Sequence, residues 1–272
     1  MNNRITRILV AVLTIPILLG VSYYGKIPFL IFILTIGLIT FYEISEMIKK
    51  KEIFLCNSVG FFAVASLILN GYYKFISIDA LLLIIFTLLL VFELFKNKGS
   101  AINNISSTLM AIAYAGIFSA AIIEVREFYS TVPITYSYGG MIIISIFITL
   151  WMTDSAAYFI GTAIGKHKLF PRVSPNKSWE GAIAGFLFAL ITSVVLKIFL
   201  LNFLSIIDVI AFGIIIGVFG QIGDLIESLI KRDAGVKDSS SIIPGHGGFF
   251  DRFDSLLFSV PIIYLYMKFF IE

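Results

Sequence analysis

Apolar runs about as long as a bilayer is thick make up most of the chain. They fall at 6–24, 27–48, 53–72, 77–95, 104–125, 139–163, 180–201, 205–230 and 255–271. A helix that crosses hydrocarbon needs roughly 20 apolar residues, and lipid offers no partner to a bare backbone N–H or C=O. These nine runs therefore predict an all-α polytopic membrane protein with nine transmembrane helices. Lys49-Lys50-Lys51, Lys96 to Gly99 and Asn202 divide the runs cleanly, and Gly71 to Lys74 does so less sharply. Tyrosines gather at several run ends (Tyr23-Tyr24, Tyr72-Tyr73, Tyr136 and Tyr138), where an interfacial belt would put them. Composition agrees: 59% of the chain is hydrophobic and 14% charged, against about 25% charge in a soluble domain. Arg4 and Arg7 before the first run suggest a signal peptide, but no small-x-small cleavage site closes that run. It reads as an uncleaved first helix.

Nine crossings put the termini on opposite sides, and the cations say which is which. Of the 20 lysines and arginines, fifteen fall on the N-terminal side: Arg4, Arg7, Lys49 to Lys51, Lys96, Lys98, Lys166, Lys168, Arg172, Lys177, Lys231, Arg232, Lys237 and Arg252. Lys26, Lys74, Arg126, Lys197 and Lys268 fall on the other. Positive charge collects inside, so the N-terminus is expected in the cytoplasm and the C-terminus outside. Two polar loops, 164–179 and 231–254, then face the cytoplasm, where nucleotides are.

The net charge of +3 comes from cations at run ends and gives no reason to expect nucleic acid. A single cysteine, Cys56, excludes an internal disulfide, and with only two histidines a zinc cluster is not expected. Any metal would be held by oxygen, which suits Mg²⁺ or Mn²⁺.

The halves differ. Residues 1–135 show no chemical motif and read as structural helices; residues 136–272 read as the catalytic helices with their two cytoplasmic loops. Gly161/Gly165, Gly181/Gly185 and Gly213/Gly217 have the spacing that lets helices pack closely. The loop 126–138 reads as external and structural.

Chemistry concentrates in Ser228 to Asp254. Four cations (Lys231, Arg232, Lys237, Arg252), four acids (Asp233, Asp238, Asp251, Asp254), three glycines (Gly245, Gly247, Gly248) and His246 lie there. Three more acids, Asp154, Asp224 and Glu227, sit inside apolar runs. An ionised carboxylate in hydrocarbon costs several kcal/mol, so each needs a cavity, a cation or a metal. Asp224, Ser228 and Lys231 share one helical face. Asp251 and Asp254 begin the last run, where an acid also suits a helix N-terminus. If the loop folds back, Asp251 comes beside Asp224, and the two carboxylates could share divalent cations. The four cations would then hold phosphate oxygens, with Arg able to do so bidentately. Gly247 and Gly248 would let the backbone approach them. His246 reads either as a general base or as a donor to phosphate.

The other loop reads S-P-N-K-S-W-E-G, from Ser174 to Gly181. Asn176 or Ser178 could cap the next helix, with Glu180 in its first turn. The same helix start, with Lys177 and Ser178 beside it, is also an anion site. The sequence leaves both open.

These residues resemble the signature of phosphatidate cytidylyltransferases, S-x-hydrophobic-K-R-x4-K-D-x-small-x2-aliphatic-P/G-x-H-G-G-hydrophobic-x-D-R-hydrophobic-D. Ser228, Lys231, Arg232, Lys237, Asp238, Ser240, Ile243, Pro244, His246, Gly247, Gly248, Asp251, Arg252 and Asp254 meet its fixed positions. The S-P-N-K-S-W-E-G loop is similar to a second family segment, usually nearer S-P-K-K-T-W-E-G; Asn176 and Ser178 depart from it mildly. The resemblance covers residues 150–272 by motif. It implies transfer of a cytidylyl group from CTP to phosphatidate, with release of pyrophosphate, in an all-helical fold with its site at the cytoplasmic leaflet. It implies Mg²⁺, with Mn²⁺ and a monovalent cation as further options. On that reading Asp224 and Asp251 hold the metal, and Asp254 and Asp238 orient it or its cationic neighbours. Lys231, Arg232, Lys237 and Arg252 neutralise phosphates, while Lys177, Ser178 and Glu180 shape the nucleotide site. Ser228, Gly247 and Gly248 complete the substrate contacts, and His246 stands among the catalytic residues. The partners are CTP and bilayer phosphatidate, with no nucleic acid; a homo-oligomer is compatible with this. The expected place is a bacterial cytoplasmic (inner) membrane.

Two rival readings fit less well. A CDP-alcohol phosphotransferase needs D-G-x2-A-R-x8-G-x3-D-x3-D, which the chain lacks. An ion-coupled transporter could use Asp154 and Asp224, but no inverted repeat is evident and the polar residues gather at one membrane face.

Overall fold

The structure is a computed structural model that describes residues 3–243 and 247–271, with side chains from residue 12 onward. Helices account for every expected apolar run: α1 (Asn3–Tyr24), α2 (Lys26–Lys49), α3 (Asn57–Tyr73), α4 (Ile78–Phe95), α5 (Ala101–Ile112), α6 (Phe118–Arg126), α7 (Tyr136–Ile164), α8 (Trp179–Phe199), α9 (Ile206–Ile215), α10 (Gln221–Asp233) and α11 (Phe250–Phe270). Two pairs are continuous through a wider π-helical turn. Ala113–Ile117 joins α5 to α6, and Ile216–Gly220 joins α9 to α10. Among the described residues, seven stretches are long and apolar enough to cross a membrane: Lys26–Lys49, Ile78–Phe95, Ala101–Arg126, Pro133–Ile164, Trp179–Phe199, Ile206–Asp233 and Phe250–Phe270. The seven do not include α1, whose described side chains begin late, or α3, whose 17 residues rise only about 25 Å at 1.5 Å each. The chain is an all-α polytopic membrane protein with one amendment. Residues 164–179 are not irregular throughout: β1 (Lys168–Phe170) and β2 (Ser174–Ser178) form a small antiparallel hairpin.

The chain divides into two compact units interleaved in sequence. The first comprises residues 1–15, 26–124 and 231–253. Its core is Phe29, Ile33, Ile36, Phe41, Ile44 and Met47 of α2 with Ala63, Val64 and Leu67 of α3, all buried. Gly60 lies directly under the Phe41 ring and Gly116 lies against Val64 and Leu67, so a side chain at either would collide. By contrast α4 buries only 22% of its apolar stretch, which leaves most of it to face lipid.

The second unit comprises 16–25, 125–230 and 254–272. Its helices approach through small residues, as the glycine spacing predicts. A Cβ on Gly161 would sit 3.3 Å from Gly181 Cα; one on Gly185, 3.1 Å from Thr153 O; one on Gly213, 3.1 Å from Leu190 Cα. The π-turn before α10 is held by Gln221, whose Nε2 donates to Gly217 O at 2.6 Å and Ala182 O at 3.1 Å. A wide turn leaves a carbonyl poorly served, and this amide serves it. Arg126 is fully buried at the other end of the unit, donating to Ser22 O at 2.7 Å and Tyr23 O at 2.8 Å. Those carbonyls end α1 and lack intrahelical partners.

Candidate active site

Small residues on α10 bring three carboxylates together. A Cβ on Gly223 would lie 2.8 Å from Asp254 O and 2.7 Å from Phe258 Cβ, so here α11 runs almost against the α10 backbone. Asp224 and Glu227, three apart on α10, meet Asp254 of α11, with one ligand oxygen from each within 4.8 Å of the others. In this grouping Asp254, and not the expected Asp251, joins Asp224. Glu227 and Asp254 are 1% and 8% exposed, and the Asp224 side chain 38%. Asp254 Oδ1 accepts from Ser255 N at 2.6 Å, and Ser228 Oγ lies 3.5 Å from Asp224 Oδ1. Lys177 Nζ stands 2.5 Å from Asp224 Oδ2. Asp154 and Lys177 both bear electrostatically on Asp254.

This group fits a divalent cation. Its donors are all carboxylate oxygens, the set that hard ions such as Mg²⁺ and Mn²⁺ take. Three carboxylates against one nearby ammonium leave an excess of negative charge in a mostly buried place, and a divalent ion would neutralise it.

The hairpin delivers Lys177 to this place. Ser178 ends β2 and caps α8, accepting from Gly181 N at 3.2 Å. Of the two capping candidates it is Ser178, and not Asn176, that holds the position. Gly165 lies against the Ser178 side chain, with room for no Cβ. Glu180 accepts from His167 N at 3.3 Å and pairs with His167 Nδ1 at 2.6 Å, so it secures the hairpin to the first turn of α8.

The rest of the signature belongs to the first unit. Asp251 is paired with Lys231 at 2.6 Å, their side chains 6% and 12% exposed. Asp251 Oδ2 accepts from Ser239 N at 2.9 Å, Ser239 Oγ at 2.9 Å and Gly248 N at 2.8 Å. Gly247 has φ +81°, a conformation that favours glycine, and its carbonyl accepts from Ile243 N at 2.9 Å. Arg232 Nη1 donates to Val236 O at 3.2 Å. Arg232, Lys237, Asp238 and Arg252 are exposed at the protein surface. Pro244, Gly245 and His246 lie outside the described residues.

Sequence reasoning passed over one residue here. Glu43 of α2 is fully buried. Its carboxylate accepts from Ser239 Oγ at 2.8 Å, Ser240 Oγ at 2.5 Å, Phe249 N at 3.0 Å and Phe250 N at 2.8 Å. An acid near the end of an apolar run was the available signal. Glu46, three residues on, sends the same signal but pairs with Lys49 at the surface.

The model of the Cytidylyltransferase family matches residues 5–270. The chain is 34% identical over 269 residues to a phosphatidate cytidylyltransferase of Bacillus subtilis (strain 168), with 97% of each chain covered. It is 36% identical over 264 residues to a protein of that name from Staphylococcus haemolyticus, covering 94% of this chain and 96% of the relative. A third, from Staphylococcus aureus (strain COL), is 33% identical over 264 residues, again covering 94% of this chain and 96% of the relative.

Proposed function

Because the chain belongs to the cytidylyltransferase family, we propose that it transfers the cytidylyl group of CTP to phosphatidate, giving CDP-diacylglycerol and pyrophosphate. The observation that carries this reading is similarity along nearly the whole chain to proteins of that activity. The grouping of Asp224, Glu227 and Asp254 beside Lys177 supports it.

In the reaction a phosphate oxygen of phosphatidate forms a bond to the α-phosphorus of CTP while the bond from that phosphorus to the bridging oxygen of pyrophosphate breaks. The nucleophile belongs to the lipid, so the protein needs none of its own. Its work is positioning and charge neutralisation. Asp224, Glu227 and Asp254 would hold a divalent cation, which supplies positive charge to phosphate oxygens. Lys177 balances Asp224 and offers a second cation to an arriving phosphate. Lys231 is held by Asp251 in one orientation. Arg232, Lys237 and Arg252, at the surface, meet the triphosphate and the lipid phosphate. Gly247 and Gly248 present backbone N–H groups without side chains in the way. His246 is assigned to phosphate contact.

Phosphatidate keeps its chains in the bilayer and its phosphate at the surface, and CTP arrives from water. We assign the site to the cytoplasmic face of nine crossings, N-terminus in and C-terminus out. The distribution of lysine and arginine supports this orientation. Chain purified in detergent and given CTP, phosphatidate and Mg²⁺ should release pyrophosphate and form CDP-diacylglycerol in equal amounts. No pyrophosphate, or release independent of phosphatidate, would overturn the reading.

A further inference from the structure

A buried carboxylate in a membrane helix costs several kcal/mol unless donors surround it. The donors to Glu43 come from one short segment, residues 239–250, about 200 positions away in sequence. Two are side-chain hydroxyls. The other two are backbone N–H groups where α11 begins, which have no intrahelical partners, and a negative charge there also meets the positive end of the helix dipole.

The contacts continue past Glu43. Ser239 Oγ lies 2.8 Å from Glu43 Oε2 and 2.9 Å from Asp251 Oδ2, and its one proton can serve either. Asp251 in turn holds Lys231 at 2.6 Å. Glu43, Ser239, Asp251 and Lys231 thus form one line of polar contacts inside the first unit. Gly248 shows how tightly this is built: a Cβ there would run into both Glu43 carboxylate oxygens and Ser239 Oγ. The glycine leaves room for the acid as well as for a substrate.

We propose that Glu43 is a positioning residue for cytidylyl transfer: it fixes the path of residues 239–250 and, through Ser239 and Gly248, the setting of Asp251 and Lys231. Glu43 touches no substrate on this reading; it acts through the loop. The proposal rests on the function assigned above.

The test uses full-length chain in detergent, with pyrophosphate release and timed trypsin cleavage read on the same samples. Glu43→Gln keeps the size but turns an amide donor toward groups that are themselves donors. It should lower kcat about tenfold or more while KM for CTP stays within about threefold. Trypsin cleavage after Lys237 should accelerate about tenfold relative to cleavage after Lys98, an exposed site far along the chain. Ser240→Ala, which leaves three of the four donors, should lower kcat about threefold with an unchanged thermal midpoint. The double variant should be no worse than Glu43→Gln alone. Wild-type kcat and wild-type Lys237 cleavage in Glu43→Gln would overturn the proposal. So would cleavage that rises equally at both sites, with activity falling only as the folded fraction falls. Should Glu43→Gln not accumulate folded, Ser240→Ala decides: a reduced kcat supports the proposal and an unchanged one overturns it. A wild type that makes no pyrophosphate defeats the functional reading instead, and the cleavage ratio still decides whether Glu43 orders the loop.

Discussion

Replacing Asp254 by asparagine removes one charge from the carboxylate group and keeps its shape. The amide oxygen can still accept from Ser255 N, which lies 2.6 Å from Asp254 Oδ1. Two unit charges at 4.8 Å, the span of the group, repel by about 3.5 kcal/mol at an effective dielectric near 20. Asp254 takes part in two such pairs, so the ceiling on the relief is about 7 kcal/mol. Lys177 and the partial exposure of Asp224 reduce this to something on the order of 2 kcal/mol. Without a divalent ion, Asp254→Asn should therefore unfold at a higher temperature than wild type, by a few degrees. With Mg²⁺ the order should reverse. An ion at a hundred times its dissociation constant stabilises its binder by about 2.7 kcal/mol, and the variant forfeits most of that. Thermal unfolding in detergent, in EDTA and across a Mg²⁺ titration, reads both effects without any turnover. Pyrophosphate release should fall by at least a hundredfold. Equal Mg²⁺ responses, or a variant less stable in EDTA, would refute the assignment of these carboxylates to a cation.

Other outcomes follow from single contacts. Lys231→Met leaves the Asp251 charge buried without its ammonium, a loss of about 3–5 kcal/mol; unfolding scans should show it and turnover should all but vanish. Ser178→Ala removes the cap of α8 and should cost about 1 kcal/mol, visible as a small drop in thermal midpoint. Gly185→Leu forces a side chain into the Thr153 backbone, 3.1 Å from the first added atom; it should yield aggregated protein on size exclusion. In a Cys56→Ser background, Lys98→Cys should react with a membrane-impermeant maleimide only from the cytoplasmic face, and Asn202→Cys only from outside. The opposite pattern would reverse the orientation assigned here.

The helices were legible because each had to satisfy its own backbone in lipid, and a long apolar run is the plain trace of that demand. The capping serine of α8 and the close glycine pairs were legible for a similar reason: both are local. What escaped depends on partners far away in the chain. Glu43 looks like an acid at the frayed end of a run, much as Glu46 does; only residues 239–250 distinguish them. Glu227 is one of two acids on a helix face until Asp254, 27 residues later, arrives beside it. The hairpin at 168–178 is too short to show a strand pattern. Neither π-turn has a marker in the sequence, since an extra residue in a helical turn changes no composition.

That second π-turn carries a consequence for how the chain tolerates insertions and deletions. Residues 216–220 take up one residue more than an ordinary turn would, and Asp224 and Glu227 follow directly after. Deleting any one of the five would restore a regular α-helix, the cheaper backbone. It would also swing everything beyond it by about 100° around the axis, turning both acids away from Asp254. A shortened α9–α10 would thus be a better helix in a worse protein.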